Sequence, residues 1–491
     1  MRLNSKQISL YTGGSFIVDP IDASKLACGI CWDSRELVPD DVFVALPGQR
    51  VDGHRFVDDA LRKGAAVVLV TDRPDAESCL LAKEMGAAII EVSNTANAIT
   101  DLARAWRARL RGQVIAITGS SGKTTTKNLV RDVLKASFSV VATSGNQNNE
   151  LGVPKTILDA EVETEVIVLE MGMRGFGQIR SLCELALPDM GIITNIGQAH
   201  LELLETRENI ARAKAELFCA LPSGRGIAFM NRSDAFAGFI CDVAQLAPRH
   251  VRLVNYDVFL EAATKPACAD AGESGEGYGQ WGAWADGLSL DAAGCPRFML
   301  HCGDREIEAT LPLRGVHNVY NAVAAASVGA VFGMGLETIA EALSQASIEC
   351  GRQEFLLARG GFTIIHDAYN ANPDSMRAAL MMFSSMEVAG RRFAVLGDMA
   401  ELGEAATACH EGIGKLLAGL PIEQAICIGE LSCAIVLAAR AFGMEEKRIR
   451  HVSSIPAVLE ELELSLLPGD AVLVKGSRSM GLERVVGGLA T

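Results

Sequence analysis

The chain has 491 residues, more than one hydrophobic core usually serves, so two to four domains are expected. Hydrophobic residues make up 49%, charged residues 21% and aromatic residues 5%, a balance that excludes disorder and suits α/β cores built from Val, Ile, Leu and Ala. A formal net charge of −15 excludes a general nucleic-acid binder, whose surface must neutralise phosphates, so any anionic ligand must be met by local positive charge.

The amino terminus, "MRLNSKQISLYTGGSF", lacks the apolar core of a signal peptide, and no run reaches the roughly 18 to 20 apolar residues of a membrane span. A cytoplasmic protein is expected. Thirteen scattered cysteines, an odd number, fit reduced thiols better than a disulfide framework. Cys28 and Cys31 in "ACGICWDSRE" form a CxxC that could be redox-active or half a zinc site. There is no second CxxC and the setting is an apolar strand-like run, so buried thiols are the favoured reading.

In chain order, "DVFVALPGQRVDGHRFVDDALRKGAAVVLV" reads as strand, Gly-rich loop, helix and strand, one βαβ-like unit of a small amino-terminal domain. The helical pattern "ANAITDLARAWRARLRG" leads to the strand "QVIAIT", the loop "GSSGKTTTKN" and the helix "LVRDVLKA". The strands "EVIVLEMG" and "DMGIITNIG" are apolar throughout, as parallel strands covered on both faces should be. Residues 260–296, rich in Gly, Ala and acids with no clear period, are expected to form an exposed excursion of the central domain. After the Ala-rich helix in "RGVHNVYNAVAAASVGAVFGMG", a further α/β segment offers the strands "FTIIHD", "RFAVLGD", "QAICIG" and "AVLVKGS". Three α/β domains in series are predicted, spanning 1–108, 109–347 and 348–491. The middle one is read as a P-loop domain with a mainly parallel sheet, and the last as Rossmann-like.

"TGSSGKTTT" sits between a strand and a helix, the context a P-loop requires. Gly119 and Gly122 allow the tight turn, and the backbone of Ser120, Ser121 and Thr125 lies where N–H groups can face a phosphate. Lys123 supplies a point charge and Thr124 a magnesium-ligating hydroxyl. Ile117 stands where the longer GxxxxGK[ST] form has its first glycine, so this is a short loop. It indicates ATP or GTP binding. Glu170, ending the strand "EVIVLE", and His200, following "IITNIGQA", lie at the carboxyl ends of successive strands, where ligands of such sheets bind. A strand-end Glu is usually only solvated and a lone His usually structural, but their shared position downstream of one P-loop favours a metal or phosphate role. Lys214 in "ENIARAKAEL" reads, from its own segment, as a solvated helix lysine.

This combination resembles the Mur ligase superfamily of ATP-dependent amide-bond ligases: a short P-loop, a Glu ending a later strand, "GQAHLE", and a Lys some way beyond. The resemblance extends over the chain, from "WDSRELVPDDVFVALPGQRVDGHRFVDDALRKGA", similar to the family's UDP-binding domain, to "GVHNVYNAVAA", similar to its adenine-contacting segment. Within the superfamily, "DAYNANPDSMRAAL", "LGDMAELGE" and "KGSRSMGLERVV" are similar to the members that join D-alanyl-D-alanine to a UDP-N-acetylmuramoyl-tripeptide in peptidoglycan synthesis.

The resemblance implies a three-domain Mur ligase architecture, ATP and magnesium as cofactors, and a reaction through an acyl phosphate. It implies catalytic roles for Lys123, Glu170, His200 and Lys214, with Thr124, Glu170, His200 and a carbamylated Lys214 as metal ligands. Asn318 would contact adenine, Arg352 the phosphates and Asp367 the ribose. Asp33, Ser34, Arg35, Asp52, Gly53, His54, Asn146, Asn148 and Asn149 would serve the UDP-sugar substrate. For Asp52 and Gly53, ordinary turn chemistry is an equal alternative. Tyr369, Asn370, Asn372, Lys475 and Arg478 complete the substrate-binding set, with Pro373 opening a helix that Asn372 could equally well just cap. A monomer is expected, without nucleic acid or membrane partners.

Two departures from the family pattern stand out: His366 where a second acid often precedes Asp367, and "MGMRGFGQI" with Gln178 in place of Glu. The rival readings are a sister ligase adding a single amino acid and a non-catalytic nucleotide-binding scaffold.

Overall fold

The computed structural model describes residues 1–48, 51–260, 279–347 and 350–490. The chain folds as two compact units, one of Met1–Ala116, Phe138–Gly172 and Ile179–Met190, the other of Ile117–Ser137, Met173–Gln178 and Gly191–Thr491.

The first unit contains a five-stranded sheet in the order Ser15–Val18, Ala88–Glu91, Val67–Val70, Asp41–Val44, Gly29–Cys31. The first pair is antiparallel and the others are parallel, with Val42 opposite Val67 and Val67 opposite Ala88. All four residues of Asp41–Val44 and of Val67–Val70 are buried, which is why these strands read as continuous apolar runs. Burying each large aliphatic side chain contributes about 1.5–3 kcal/mol. Helix Thr95–Arg107 starts where the Asn94 side chain accepts the Asn97 N–H, and it buries Ile99, Leu102, Ala103 and Trp106 along one stripe. The indole of Trp106 donates to Ala160 O at 2.8 Å, so the one polar atom of that stripe is satisfied. Also in this unit, Val140–Ala142 runs parallel to Val166–Glu170.

In the second unit, Ile227–Asn231, Arg252–Val258 and Gln280–Leu290 pair in parallel, and Pro296–Cys302 and Arg305–Thr310 continue the sheet antiparallel. Strand Gln280–Leu290 corrects the expectation of an exposed excursion over 260–296, whose positions 261–278 lie outside the described residues. Its small residues hid it. Gly282 and Ala283 lie close against helix His317–Val331, where the Ala283 N–H donates to the Ser327 hydroxyl at 2.9 Å, and larger side chains would hold the helix off.

A six-stranded sheet follows, in the order Glu354–Leu357, Thr363–Asp367, Ala471–Lys475, Arg392–Gly397, Gln424–Ile428, Ile449–Val452. Only the first pairing is antiparallel. Ile364, Phe393, Val395, Val472 and Val474 form its core with Val485 and Leu489 of the last helix. The four predicted strands are all present; the edge strands Glu354–Leu357 and Ile449–Val452 escaped the sequence reading. Because the last strand inserts between the first two parallel ones in chain order, Asp367 comes opposite Lys475 at the carboxyl edge, where doubly wound sheets bind ligands.

Among the described residues, no cysteine is in a disulfide. Cys31 is buried as expected, whereas Cys28, in the one-residue gap between strands Leu26–Ala27 and Gly29–Cys31, is exposed. Among the described residues, no helix is long and apolar enough to cross a membrane.

Candidate active site

Strand Gln113–Thr118 delivers the chain to the turn 119–122, and helix Lys123–Lys135 begins directly after it. Gly122 caps that helix in the left-handed conformation (φ 75°), and a Cβ on Gly119 would lie 1.8 Å from Thr194 Oγ1. Side chains are therefore excluded at Gly119 and Gly122, the two ends of a turn that leads into a helix N-terminus, the arrangement that receives phosphate. The Lys123 ammonium donates to Gly119 O at 2.9 Å, which keeps it over the loop, and Thr124 is buried beside it in the first turn. Ser120, Ser121 and Thr125 fall in the same turn and helix start, as predicted.

The loop after strand Met190–Ile193 braces this turn. The Ser120 N–H donates to Asn195 O at 3.0 Å, the Ser121 N–H to Asn195 Oδ1 at 3.1 Å, and the Gly197 N–H to Ser120 Oγ at 2.8 Å. Thr194 Oγ1 donates to Ser121 O at 2.6 Å. From the other side, Asp374 Oδ2, in the first turn of helix Pro373–Ser385, accepts the Gln198 N–H at 2.9 Å.

His200 ends this loop in a left-handed conformation (φ 63°), and its Nδ1 lies 2.6 Å from Glu401 Oε2. Glu401, also left-handed (φ 61°), meets Arg174 through its other oxygen at 3.3 Å. The hydrogen bond from His200 leads in holding the Glu401 carboxyl below the usual range, with the Arg174 charge assisting. Burial pushes the His200 imidazole down, and the positive charges of Lys214 and Lys123 push the same way against Glu401.

Lys214, on helix Arg207–Ala220, is 1% exposed, so the solvated-lysine reading of its own segment is overturned. Burial first, then the charge of Lys123, lowers its pKa well below that of an ordinary lysine. Lys123, His200 and Lys214 thus feel one another's charge in one locality.

Asn318 stands about one turn from the P-loop helix contact: Thr126 Oγ1 donates to Asn321 Oδ1 at 3.1 Å, and Asn321 Nδ2 donates to Asn318 Oδ1 at 3.1 Å. The Asn318 amide donates in turn to Arg314 O at 2.8 Å. Its neighbour His317 is half-buried, and loss of solvent pushes its pKa down to about 4. Asp367 Oδ2 and the Lys475 ammonium form a 2.7 Å ion pair, and Lys475 also donates to Asn370 O at 3.0 Å. Tyr369 carries the guanidinium of Arg352 4.2 Å from its ring centre and that of Arg478 at 5.7 Å, so three predicted residues form one stack. The side-chain amides of the "YNANP" turn serve it locally. Asn370 Oδ1 accepts the Ala371 N–H at 2.9 Å, and Asn372 Oδ1 accepts the Ser375 N–H at 2.8 Å in a capping box with Pro373 at the helix start.

In the first unit, Glu170 ends its strand with one oxygen bound by Asn148 Nδ2 at 2.8 Å and its N–H donating to Thr143 Oγ1 at 3.0 Å. The second oxygen, Oε2, is buried with no hydrogen-bond donor, an environment that fits a cation. Asn148 therefore orients Glu170 instead of presenting a free amide, and Asn149 Oδ1 accepts the Gly152 N–H at 3.0 Å. The backbone oxygen of Asn146 accepts the Asn148 N–H at 2.7 Å.

Asp33 and Arg35 clasp each other, holding the Asp33 carboxyl down to about 2, and Ser34 between them is buried with its carbonyl accepting from Lys63 at 2.7 Å. Asp52 caps the short turn from Gly53, and His54 bridges Asp52 Oδ1 at 2.7 Å to the Thr71 N–H at 3.0 Å. Turn chemistry accounts for these last contacts.

Sequence reasoning missed Thr143, Thr194, Asn195, Asn321, Asp374 and Glu401. Asn321, Asp374 and Glu401 carried a signal, since they lie within "GVHNVYNAVAA", "DAYNANPDSMRAAL" and "LGDMAELGE".

Three family models match in order along the chain: the Mur ligase family catalytic domain over 28–107, the Mur ligase middle domain over 117–329, and the Mur ligase glutamate ligase domain over 351–478. The chain belongs to the Mur ligase family and has its three-domain α/β architecture. Among full-length relatives, UDP-N-acetylmuramoyl-tripeptide--D-alanyl-D-alanine ligase of Mycobacterium tuberculosis is 36% identical, covering 100% of this chain and 98% of its own. A crystal structure of MurF from Acinetobacter baumannii superposes with a TM-score of 0.80 at 29% identity, covering 100% of this chain and 99% of that one. MurF ligase from Thermotoga maritima, solved in complex with ADP, gives a TM-score of 0.72 at 27% identity, covering 94% and 97%.

Proposed function

We propose that this chain joins D-alanyl-D-alanine to UDP-N-acetylmuramoyl-tripeptide in an ATP-dependent reaction, yielding the UDP-linked pentapeptide precursor of peptidoglycan. The observation that carries this reading is the 36% identity, end to end, with a relative named for that reaction. The buried Lys214, with the half-buried Lys123 and His200 whose charges act on it or on each other, supports the phosphoryl-transfer half of it.

In the proposed sequence, an oxygen of the tripeptide's terminal carboxylate attacks the γ-phosphorus of ATP and the bond to the bridging oxygen breaks, giving an acyl phosphate and ADP. The dipeptide amine attacks the acyl carbon and loses a proton, and inorganic phosphate leaves with the carboxylate's oxygen. Two anions meet in the first step, so the protein's task is positioning and neutralisation. Lys123 and the start of the P-loop helix take the phosphates. Asn318 takes adenine, Asp367 the ribose, and Arg352, on the Tyr369 stack, the phosphates. Asp33, Ser34, Arg35, Asp52, Gly53, His54, Asn146, Asn148 and Asn149 are assigned to the UDP-sugar side, and Tyr369, Asn370, Asn372, Lys475 and Arg478 to the remaining substrate contacts.

Magnesium, when bound, supplies further charge neutralisation and polarises the phosphoryl oxygens. Thr124, Glu170, His200 and Lys214 are the residues proposed to hold it. Burial and the Lys123 charge favour the neutral amine of Lys214, the form that takes up carbon dioxide, which supports its carbamylation to an oxygen ligand. The proposed domains are 1–108, 109–347 and 348–491, in a cytoplasmic monomer.

The test is phosphate release by the purified protein given ATP, UDP-N-acetylmuramoyl-tripeptide and either D-alanyl-D-alanine or single amino acids. Release with the dipeptide is expected. Release only with a single amino acid would make it a sister ligase, and product formation that survives Lys123→Ala would remove the P-loop from the mechanism.

A further inference from the structure

His200 has two ring nitrogens, and only one can face the reaction. Nδ1 lies 2.6 Å from Glu401 Oε2, and a carboxylate can only accept, so this contact favours the tautomer with the proton on Nδ1 and the lone pair on Nε2. Nothing on the helix that follows His200 performs this task; the acid arrives from a loop about two hundred positions along the chain. Glu401 is held for it on three sides. Its other oxygen meets Arg174 at 3.3 Å, its carbonyl accepts the Glu202 N–H at 3.2 Å, and its backbone sits in the left-handed region at φ 61°, costly for any residue other than glycine. His200 is left-handed too, at φ 63°. Two strained residues whose side chains meet are over-determined by their surroundings, a pattern found where geometry serves function.

We propose that Glu401 is a positioning residue: it fixes the tautomer and ring orientation of His200 so that Nε2 is presented to the divalent cation and phosphates, while Arg174 keeps the carboxylate aimed. The inference deepens the proposed function and rests on it for the identity of the ligand. It assigns a purpose to "LGDMAELGE" and to Arg174 within the atypical "MGMRGFGQI" loop. The same loop, Asn195 to His200, braces Ser120 and Ser121, so a His200 held by Glu401 also steadies the turn that receives phosphate.

The test compares the wild type with Glu401→Ala and Glu401→Gln. Folding is checked by thermal unfolding, the half-saturating manganese concentration by electron paramagnetic resonance with a non-hydrolysable ATP analogue, and kcat and KM by product formation. Partners of this kind typically change metal affinity or activity by about 10–100-fold. Glu401→Ala is expected to raise half-saturating manganese and lower kcat within that range, with KM for ATP within about twofold. Glu401→Gln keeps an acceptor at the same reach and is expected to recover most of the loss. Unchanged manganese binding in Glu401→Ala, or equal losses in the Ala and Gln variants, would overturn the proposal. The manganese readout does not depend on which amine is the substrate, so a failure of the assigned reaction would appear as a wild type without product and leave the Glu401 test standing.

Discussion

Asp367 and Lys475 lie opposite each other on adjacent parallel strands, and their side chains close a 2.7 Å ion pair with Lys475 almost fully enclosed. Removing one partner strands the other charge, which costs about 3–5 kcal/mol, whereas replacing both with apolar groups is far milder. Lys475→Met is therefore expected to destabilise the protein by about 3 kcal/mol in urea unfolding. Adding Asp367→Leu to it should recover at least half of that loss, and equal instability of single and double variants would show that the pair is not coupled.

His317 gives the fold a pH dependence. Its pKa is held at about 4 by burial, against about 6.5 when unfolded, so below 6.5 the unfolded chain binds a proton that the folded chain does not. Stability from this group is complete above 6.5 and is lost as pH falls toward 4, by up to about 3 kcal/mol. Asp367 favours the protonated ring and Lys475 opposes it. His317→Gln should flatten the stability profile between pH 4 and 6.5, measured by urea midpoints across that window.

The part of the site that was legible in the sequence is the part held in local order. Gly119, Gly122 and Lys123 are a few positions apart, and the strand before them and the helix after them follow from their own patterns. Lys214 was legible only through family likeness, because its burial depends on what packs over its helix, and its own segment looks solvated. Asp374 and Glu401 were hidden for a related reason: each acts on a loop nearly two hundred positions away. Asn372 shows the opposite case, since the helix cap read from its neighbours is what its side chain does.

Asn148 holds one oxygen of Glu170, and the other is buried without a donor. Asn148→Leu leaves the carboxylate without the one side-chain donor it has among the described residues, and kcat is expected to fall about 10–100-fold. Raising magnesium should restore part of the rate if Glu170 acts as a ligand. A loss independent of magnesium would place Asn148 elsewhere in the mechanism.

Lys214 should respond to carbon dioxide. Protein prepared without it is expected to have reduced activity that bicarbonate restores, with the matching mass increment on the Lys214 peptide region in native mass spectrometry. Lys214→Ala should be inactive and indifferent to bicarbonate. Full activity of the depleted protein would rule out the carbamate.

The most direct measurement follows oxygen through the proposed reaction. UDP-N-acetylmuramoyl-tripeptide labelled with heavy oxygen in its terminal carboxylate is given to the protein with ATP and D-alanyl-D-alanine. The predicted result is one labelled oxygen in each inorganic phosphate released, matched by formation of the UDP-linked pentapeptide. Unlabelled phosphate alongside that product, or labelled phosphate with no dipeptide incorporated, would contradict the account.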